Sequence, residues 1–148
     1  MEFHMLCGLP GSGKSTLVNR LQGYVVSTDS IRKFLWQDEA IICHDQLVFE
    51  IARQMIDYML PRGNTVIFDA TNMTRRNRKP FIQLAHKHGA TITLHWVKTS
   101  LETALARNAS RDRKVPVAVI RSMNKRFQPP RKDETIDHIV EYEEEGME

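Results

Sequence analysis

Gly8-Leu9-Pro10-Gly11-Ser12-Gly13-Lys14-Ser15 fits the phosphate-binding pattern G-x-x-x-x-G-K-[ST] at every required position. Before it lies the apolar run Phe3-His4-Met5-Leu6-Cys7, suited to a buried strand. After it, Leu17, Val18 and Leu21 recur at helical spacing up to Gly23. Strand, glycine loop and helix, in that order, are the context the pattern requires. The glycines let backbone N–H groups converge on phosphate oxygens, and the free N–H groups at the helix start favour negative charge. In such a loop Lys14 reaches the β- and γ-phosphates and Ser15 ligates Mg²⁺. Gly8 through Thr16, with Leu9, Pro10, Gly11, Ser12 and Gly13 between, is thus the expected site of a nucleoside triphosphate.

Outward from the loop, strands and helices alternate. Tyr24-Val25-Val26-Ser27-Thr28 reads as a second strand and residues 29–36 as a short helix. A longer helix is predicted over 44–60, with Leu47, Ile51, Met55 and Met59 on one face and Pro61 and Gly63 ending it. Thr65-Val66-Ile67-Phe68 is a compact strand closing on Asp69, and a helix over 76–88 stops at Gly89. A strand follows over 91–97. Thr99 and Glu102 then stand at capping-box spacing for a helix running to about Ser110. The charged segment Arg111-Asp112-Arg113-Lys114 leads to Pro116, well placed to start a helix through Phe127; Pro129 and Pro130 break it before a last edge strand over 135–142. Such alternation predicts an α/β fold, a parallel sheet covered by helices on both faces, in one domain over 1–148.

With 148 residues, 41% of them hydrophobic, the chain supplies one core and too little for two ordinary domains. No apolar run approaches the roughly 20 residues that span a bilayer, and the first strand starts at once, so neither signal peptide nor membrane anchor is expected. Cys7 and Cys43 are the only cysteines and form no C-x-x-C, which suits reduced packing residues in a cytoplasmic protein. The six histidines show no zinc-type spacing. The net charge of +3 hides an asymmetry: residues 141–148 hold five acidic residues and no basic one, leaving 21 basic against 13 acidic residues, a net +8, in 1–140. That basic body suits a polyanionic partner or a solvated surface.

Ligands of open α/β sheets sit beyond the carboxyl ends of the strands. Asp69 lies there, as a magnesium-side acid or as a cap of the next turn, and Asn72 shares that turn. Asp29 closes the second strand and also occupies an N-cap position; a carboxylate there can accept the proton of an incoming hydroxyl. Arg32, one helical turn on, either grips a neighbouring anion with Asp29 or forms a surface ion pair with it. Arg107 and Arg111 are four apart, on one predicted helix face, where like charges cost roughly 0.2 to 0.5 kcal/mol. A lid bringing their guanidinium groups, and that of Arg113, onto a transferring phosphoryl group would offset this cost. Arg75, Arg76, Arg78 and Lys79 form a second basic cluster, open to substrate, triphosphate or water.

These residues together resemble the kinase domain of the polynucleotide 5′-hydroxyl kinases, both the bacteriophage enzyme and the kinase modules of bacterial RNA-repair proteins. The resemblance rests on residues 8–16, Ser-Thr-Asp-Ser-Ile-Arg at 27–32 and Asp-Ala-Thr-Asn at 69–72. Arg-Asn-Ala-Ser-Arg at 107–111 and Val-Pro-Val-Ala-Val-Ile-Arg-Ser-Met at 115–123 extend it. It implies a P-loop fold with an Arg-bearing lid, Lys14 and Ser15 as phosphate and Mg²⁺ residues, and Asp29 as general base. It further implies Arg32 on the phosphate at the acceptor's 3′ side and Arg111, with Arg107, on the triphosphate. The chain lacks the D-x-D signature of the phosphatase domains that many relatives carry.

The expected activity is transfer of the γ-phosphate of ATP or another nucleoside triphosphate, with Mg²⁺, to a 5′-hydroxyl end of DNA or RNA. Two alternatives stand beside it: a P-loop kinase of a nucleoside or other small metabolite, and a nucleotide-binding switch with little turnover. Against a guanine-specific switch, Asn124-Lys125-Arg126-Phe127 lacks the Asp of an N-K-x-D signature.

Overall fold

In a computed structural model of the chain, which describes residues 1–36, 45–111 and 114–143, five strands form one parallel sheet. The strands are β1 (Glu2–Cys7), β2 (Tyr24–Ser27), β3 (Val66–Asp69), β4 (Thr91–Val97) and β5 (His138–Tyr142), in the order β2-β3-β1-β4-β5. The register sets Met5 beside Phe68 and Leu94, so the carboxyl ends of β1, β3 and β4 open at one level. The helices are α1 (Lys14–Val18), α2 (Thr28–Trp36), α3 (Asp45–Met59), α4 (Arg75–Lys87), α5 (Leu101–Ala109) and α6 (Val117–Arg126). Among the described residues no helix is long and apolar enough to cross a membrane.

Strand alternation divides the core. Phe3, Met5, Phe68 and Leu94 face Val48, Ala52 and Ile56 of α3 and Phe81, Ile82 and Ala85 of α4. On the opposite face Leu6 and Val97 pack against Leu17 of α1, flanked by Val18 and Leu21. The third cluster joins Leu9 of the glycine loop to Met73, Ala104 of α5 and Ile120 of α6, which ties the loop to the helices beyond the sheet's carboxyl edge.

Several boundaries and faces differ from the expectation. Helix α1 stops at Val18, because Arg20 and Leu21 donate to Leu17 and Val18, a tightening from i−4 to i−3 bonding. The buried stripe of α3 is Val48, Ala52 and Ile56; Leu47 and Met55 are exposed. The predicted start of that helix at His44 lies outside the described residues, as do Cys43, Asp112, Arg113 and the tail from 144. Ser100, not Thr99, caps α5, its hydroxyl accepting from the Thr103 N–H at 3.1 Å. Pro116 is itself the cap of α6. The last strand begins only at His138, because a 3-10 turn (Lys132–Glu134) and a left-handed Thr135 precede it.

A polar chain crosses the sheet on the α1 side. His4 Nδ1 and His95 Nε2 share a hydrogen bond of 2.9 Å, and His95 Nδ1 and the Tyr142 hydroxyl share one of 2.7 Å. Burial, with the neighbouring His4 adding to it, pushes His95 down from 6.5 to about 4. Below about pH 6.5 the unfolded chain binds a proton that folded His95 refuses. Stability should therefore be full above that pH and be lost as pH falls toward about 4, by at most about 3 kcal/mol from this group. Urea unfolding at stepped pH should show a shallower loss in His95→Gln than in the wild type; parallel curves would contradict it.

Candidate active site

The glycine loop leaves β1 beside the point where the strand order reverses, the usual ligand position of such sheets. Its backbone is held from three sides. Gly8 N–H donates to Thr71 O at 3.0 Å, Thr99 Oγ1 to Ser12 O at 3.2 Å, and Arg107 Nη1 to Gly11 O at 3.5 Å. Gly11 has φ +82°, and a Cβ there would stand 2.8 Å from Ala104 O; Gly13, the cap of α1, has φ 97°. Only glycine meets both demands without strain. The resulting cradle of backbone amides, followed by Lys14, Ser15 and Thr16 at the start of α1, fits a chain of phosphates.

Lys14 Nζ donates to Gly8 O at 2.8 Å and Leu9 O at 2.9 Å, folded against its own loop. Burial lowers its pKa, and the carboxylates of Asp69 and Asp29 pull it back up. Burial likewise pushes the Asp69 carboxyl up, opposed by Lys14. A partly buried ammonium and a partly buried carboxylate lining one cavity form an arrangement that a triphosphate and a hard cation would complete. Asp69 and the exposed Ser15 carry oxygen atoms of the kind that would hold Mg²⁺.

A cavity of about 220 Å³ opens beside the loop, with Lys14, Asp29, Arg32, Asp69 and Arg111 on its wall. With Pro10, which also lines it, six expected site residues from four separate stretches of sequence are thereby brought together. Asp29 reaches it from the first turn of α2, not from a cap position, because Ser27 Oγ accepts from the Ser30 N–H at 3.2 Å and takes the capping role. Arg111 lies beyond the end of α5, whose cap is Ser110, so it shares no helix face with Arg107. Arg107 instead leans on Gly11 O. Arg111 is delivered by a loop whose two ends are joined: Asn108 Nδ2 donates to Val115 O at 2.8 Å and Val115 N–H to Asn108 Oδ1 at 2.9 Å.

The second basic cluster does not converge on this cavity. Arg78 is fully buried; Nε and Nη2 donate to the two Glu134 carboxylate oxygens at 2.9 and 3.1 Å, and Nη1 donates to Asn72 O at 2.9 Å. Arg75 pairs with Asp133 at 3.3 Å, and Arg76 and Lys79 are exposed. Asn72 is buried too, with φ 49°, its amide donating to Leu6 O at 2.6 Å. It binds the turn after β3 to β1, and its side chain is no part of the cavity wall. The buried thiol of Cys7, pushed up to about 11 by burial, donates to the same Asn72 carbonyl.

The cavity also takes in residues outside the quoted motifs: Asp45 and Phe49 come from α3, Thr74 and Asn77 from the start of α4, and Arg126 from α6, beside Val119 and Met123 of the 115–123 motif. Asp45 reads in sequence as an ordinary first-turn acid, and the α6 residues as an amphipathic stripe.

Residues 3–130 match the family model described as an AAA domain. The L-seryl-tRNA(Sec) kinase of Methanococcus maripaludis is 26% identical over 137 residues, covering 85% of this chain and 52% of that protein. A protein of Autographa californica nuclear polyhedrosis virus, assigned as a bifunctional polynucleotide kinase/RNA ligase, is 27% identical over 140 residues, 83% of this chain and 20% of that one. The chain thus spans about half of the first relative and a fifth of the second. Among solved structures, a chain of the Pnkp1/Rnl/Hen1 RNA repair complex superposes with a TM-score of 0.67 at 19% identity, over 86% of this chain and 46% of that one, a likeness of fold.

Proposed function

We propose, from the premise that this chain belongs to the AAA domain family and is a kinase of the P-loop type, that it phosphorylates the 5′-hydroxyl end of DNA or RNA with ATP and Mg²⁺. The observation that carries this reading is the placing of Asp29 and Arg32 on the same cavity wall as Lys14, Asp69 and Arg111. In this reading a carboxylate for a hydroxyl proton and a cation for an adjoining phosphate line the same cavity as the loop lysine.

Lys14 exchanges the Gly8 and Leu9 carbonyls for phosphate oxygens, and Arg111, which lines the same cavity, contacts the triphosphate. Arg107, held on Gly11 O, supports the loop. Ser15 and Asp69 would hold Mg²⁺, which supplies neutralisation of charge on the β- and γ-oxygens when bound. Asp29, half-exposed, accepts the acceptor's hydroxyl proton, and Arg32 binds the phosphate on its 3′ side. Arg75 and Arg76, outside the cavity, meet only an acceptor long enough to leave it. Positioning and charge neutralisation carry most of the catalysis, since phosphoryl transfer asks little covalent work of the protein.

The test is transfer of labelled γ-phosphate to a 5′-hydroxyl oligonucleotide, run beside a 5′-phosphorylated control and free nucleosides. Asp29→Asn should lower kcat by roughly 10²- to 10⁴-fold with ATP affinity unchanged. Label on nucleosides alone would move the protein to the small-metabolite kinases. A chain acceptor should also weaken with salt at a log–log slope of about −0.7 per phosphate contact, and a neutral one should not.

A further inference from the structure

Arg32 is held by two carboxylates. Its side chain is 10% exposed; Nη1 donates to Asp29 Oδ1 at 2.9 Å, while Nε and Nη2 lie 3.0 and 2.9 Å from a single oxygen, Asp45 Oδ1. A guanidinium carries five N–H donors in one rigid plane. Nε and Nη1 each donate to a carboxylate oxygen here, and Nη2 lies against the same Asp45 oxygen as Nε.

The division of labour between the carboxylates follows from that plane. Asp45 takes the Nε–Nη2 edge, which sets the rotation of the guanidinium about its stem, and Nη1 is thereby the nitrogen turned to Asp29. Asp45 is the first residue of α3, whereas Asp29 and Arg32 belong to α2. The partner that orients the pair therefore comes from a different element, and without it the long arginine side chain has rotamer freedom to lose on binding. Charge does not forbid an anion beside this triad. Lys14, Arg32, Arg111 and Arg126 face the cavity against Asp29, Asp45 and Asp69, four cations to three carboxylates.

We propose that Asp45 is a positioning residue of the active site: gripping one edge of Arg32, it aims Nη1 at Asp29 and fixes the plane in which the guanidinium meets the acceptor's phosphate. This rests on the kinase reading above, in which Asp29 meets the acceptor hydroxyl and Arg32 the neighbouring phosphate. Asp45 touches neither reacting atom; it acts through Arg32.

Two measurements on the full chain test it. In the first, the Arg32 Nε–H is followed by ¹⁵N NMR. It should exchange slowly in the wild type and in Asp45→Glu, and rapidly in Asp45→Ala. Rapid exchange in the wild type overturns the proposal whether or not any acceptor is phosphorylated. In the second, Asp45→Asn should raise KM for a 3′-phosphorylated nucleoside acceptor about tenfold, leave KM for ATP within about twofold, and erode the preference for that acceptor over its 3′-hydroxyl counterpart. Asp45→Glu should recover most of the loss. If Asp45→Asn lowers the unfolding temperature but leaves both acceptor KM values and their ratio intact, Asp45 is a tie between helices and the proposal fails. If the wild type labels no acceptor at all, the kinase reading fails, and the Nε–H exchange still decides the clamp.

Discussion

Lys14→Ala is expected to cut phosphoryl transfer from ATP by on the order of 10²- to 10³-fold or more, a loss comparable to removing one preorganised charge-stabilising donor. The structure shows why the effect is large. Lys14 Nζ is already partly withdrawn from water, on the carbonyls of Gly8 and Leu9, with its charge supported at a distance by Asp69 and Asp29. Part of the ammonium's desolvation is thus met in folding, and a triphosphate replaces two neutral acceptors by charged ones, which roughly doubles the strength of each bond. Lys14→Arg should not rescue the rate, because a planar fork cannot occupy the space of a point charge between two loop carbonyls. Single-turnover transfer with labelled ATP measures both variants. A Lys14→Ala protein that kept most of its rate would remove the phosphate loop from the mechanism.

Arg78→Ala should destabilise the fold by about 3–5 kcal/mol, since it leaves the nearly buried Glu134 carboxylate without its cation. For a chain of this size that is a drop in unfolding temperature on the order of 10 °C. The same change at Arg76, two residues earlier and exposed, should stay within about 0.5 kcal/mol. Arg78 joins α4, the turn after β3 and the 3-10 turn before β5, because its Nη1 also satisfies Asn72 O. Its loss should loosen the turn that follows Asp69, so residual activity should fall faster with temperature than the folded fraction alone predicts. Urea unfolding of the two variants side by side is the check, and equal stabilities would contradict the buried-pair argument.

The parallel sheet was legible because three kinds of signal agreed: the glycine loop after an apolar run, the alternation of strand and helix, and Gly or Pro at the breaks. Where the reading went astray, local pattern offered two answers and tertiary packing chose. In α3 the pairs Leu47-Val48, Ile51-Ala52 and Met55-Ile56 make two apolar stripes about 100° apart, and packing against the sheet and α4 buried the stripe of Val48, Ala52 and Ile56. Thr99 and Ser100 are both competent caps, and Thr99 was needed on Ser12 O. Arg78 did carry a faint signal, standing three, four and seven residues before Phe81, Ile82 and Ala85, a charge set within an apolar stripe. Asp45 carried none, for its meaning depends on an arginine 13 residues away.

The paired bonds between Asn108 and Val115 make the Arg111 segment a clasped insert rather than a connector. With both ends fastened by one side chain, a change of length inside the clasp is felt mainly as loop-closure entropy, about 0.6 kcal/mol for a doubling. The frame of α5 and α6 is thereby insulated from what the insert contains. One asparagine lets such a scaffold exchange what lies between it and Val115 while keeping its sheet, its core and its glycine loop unchanged.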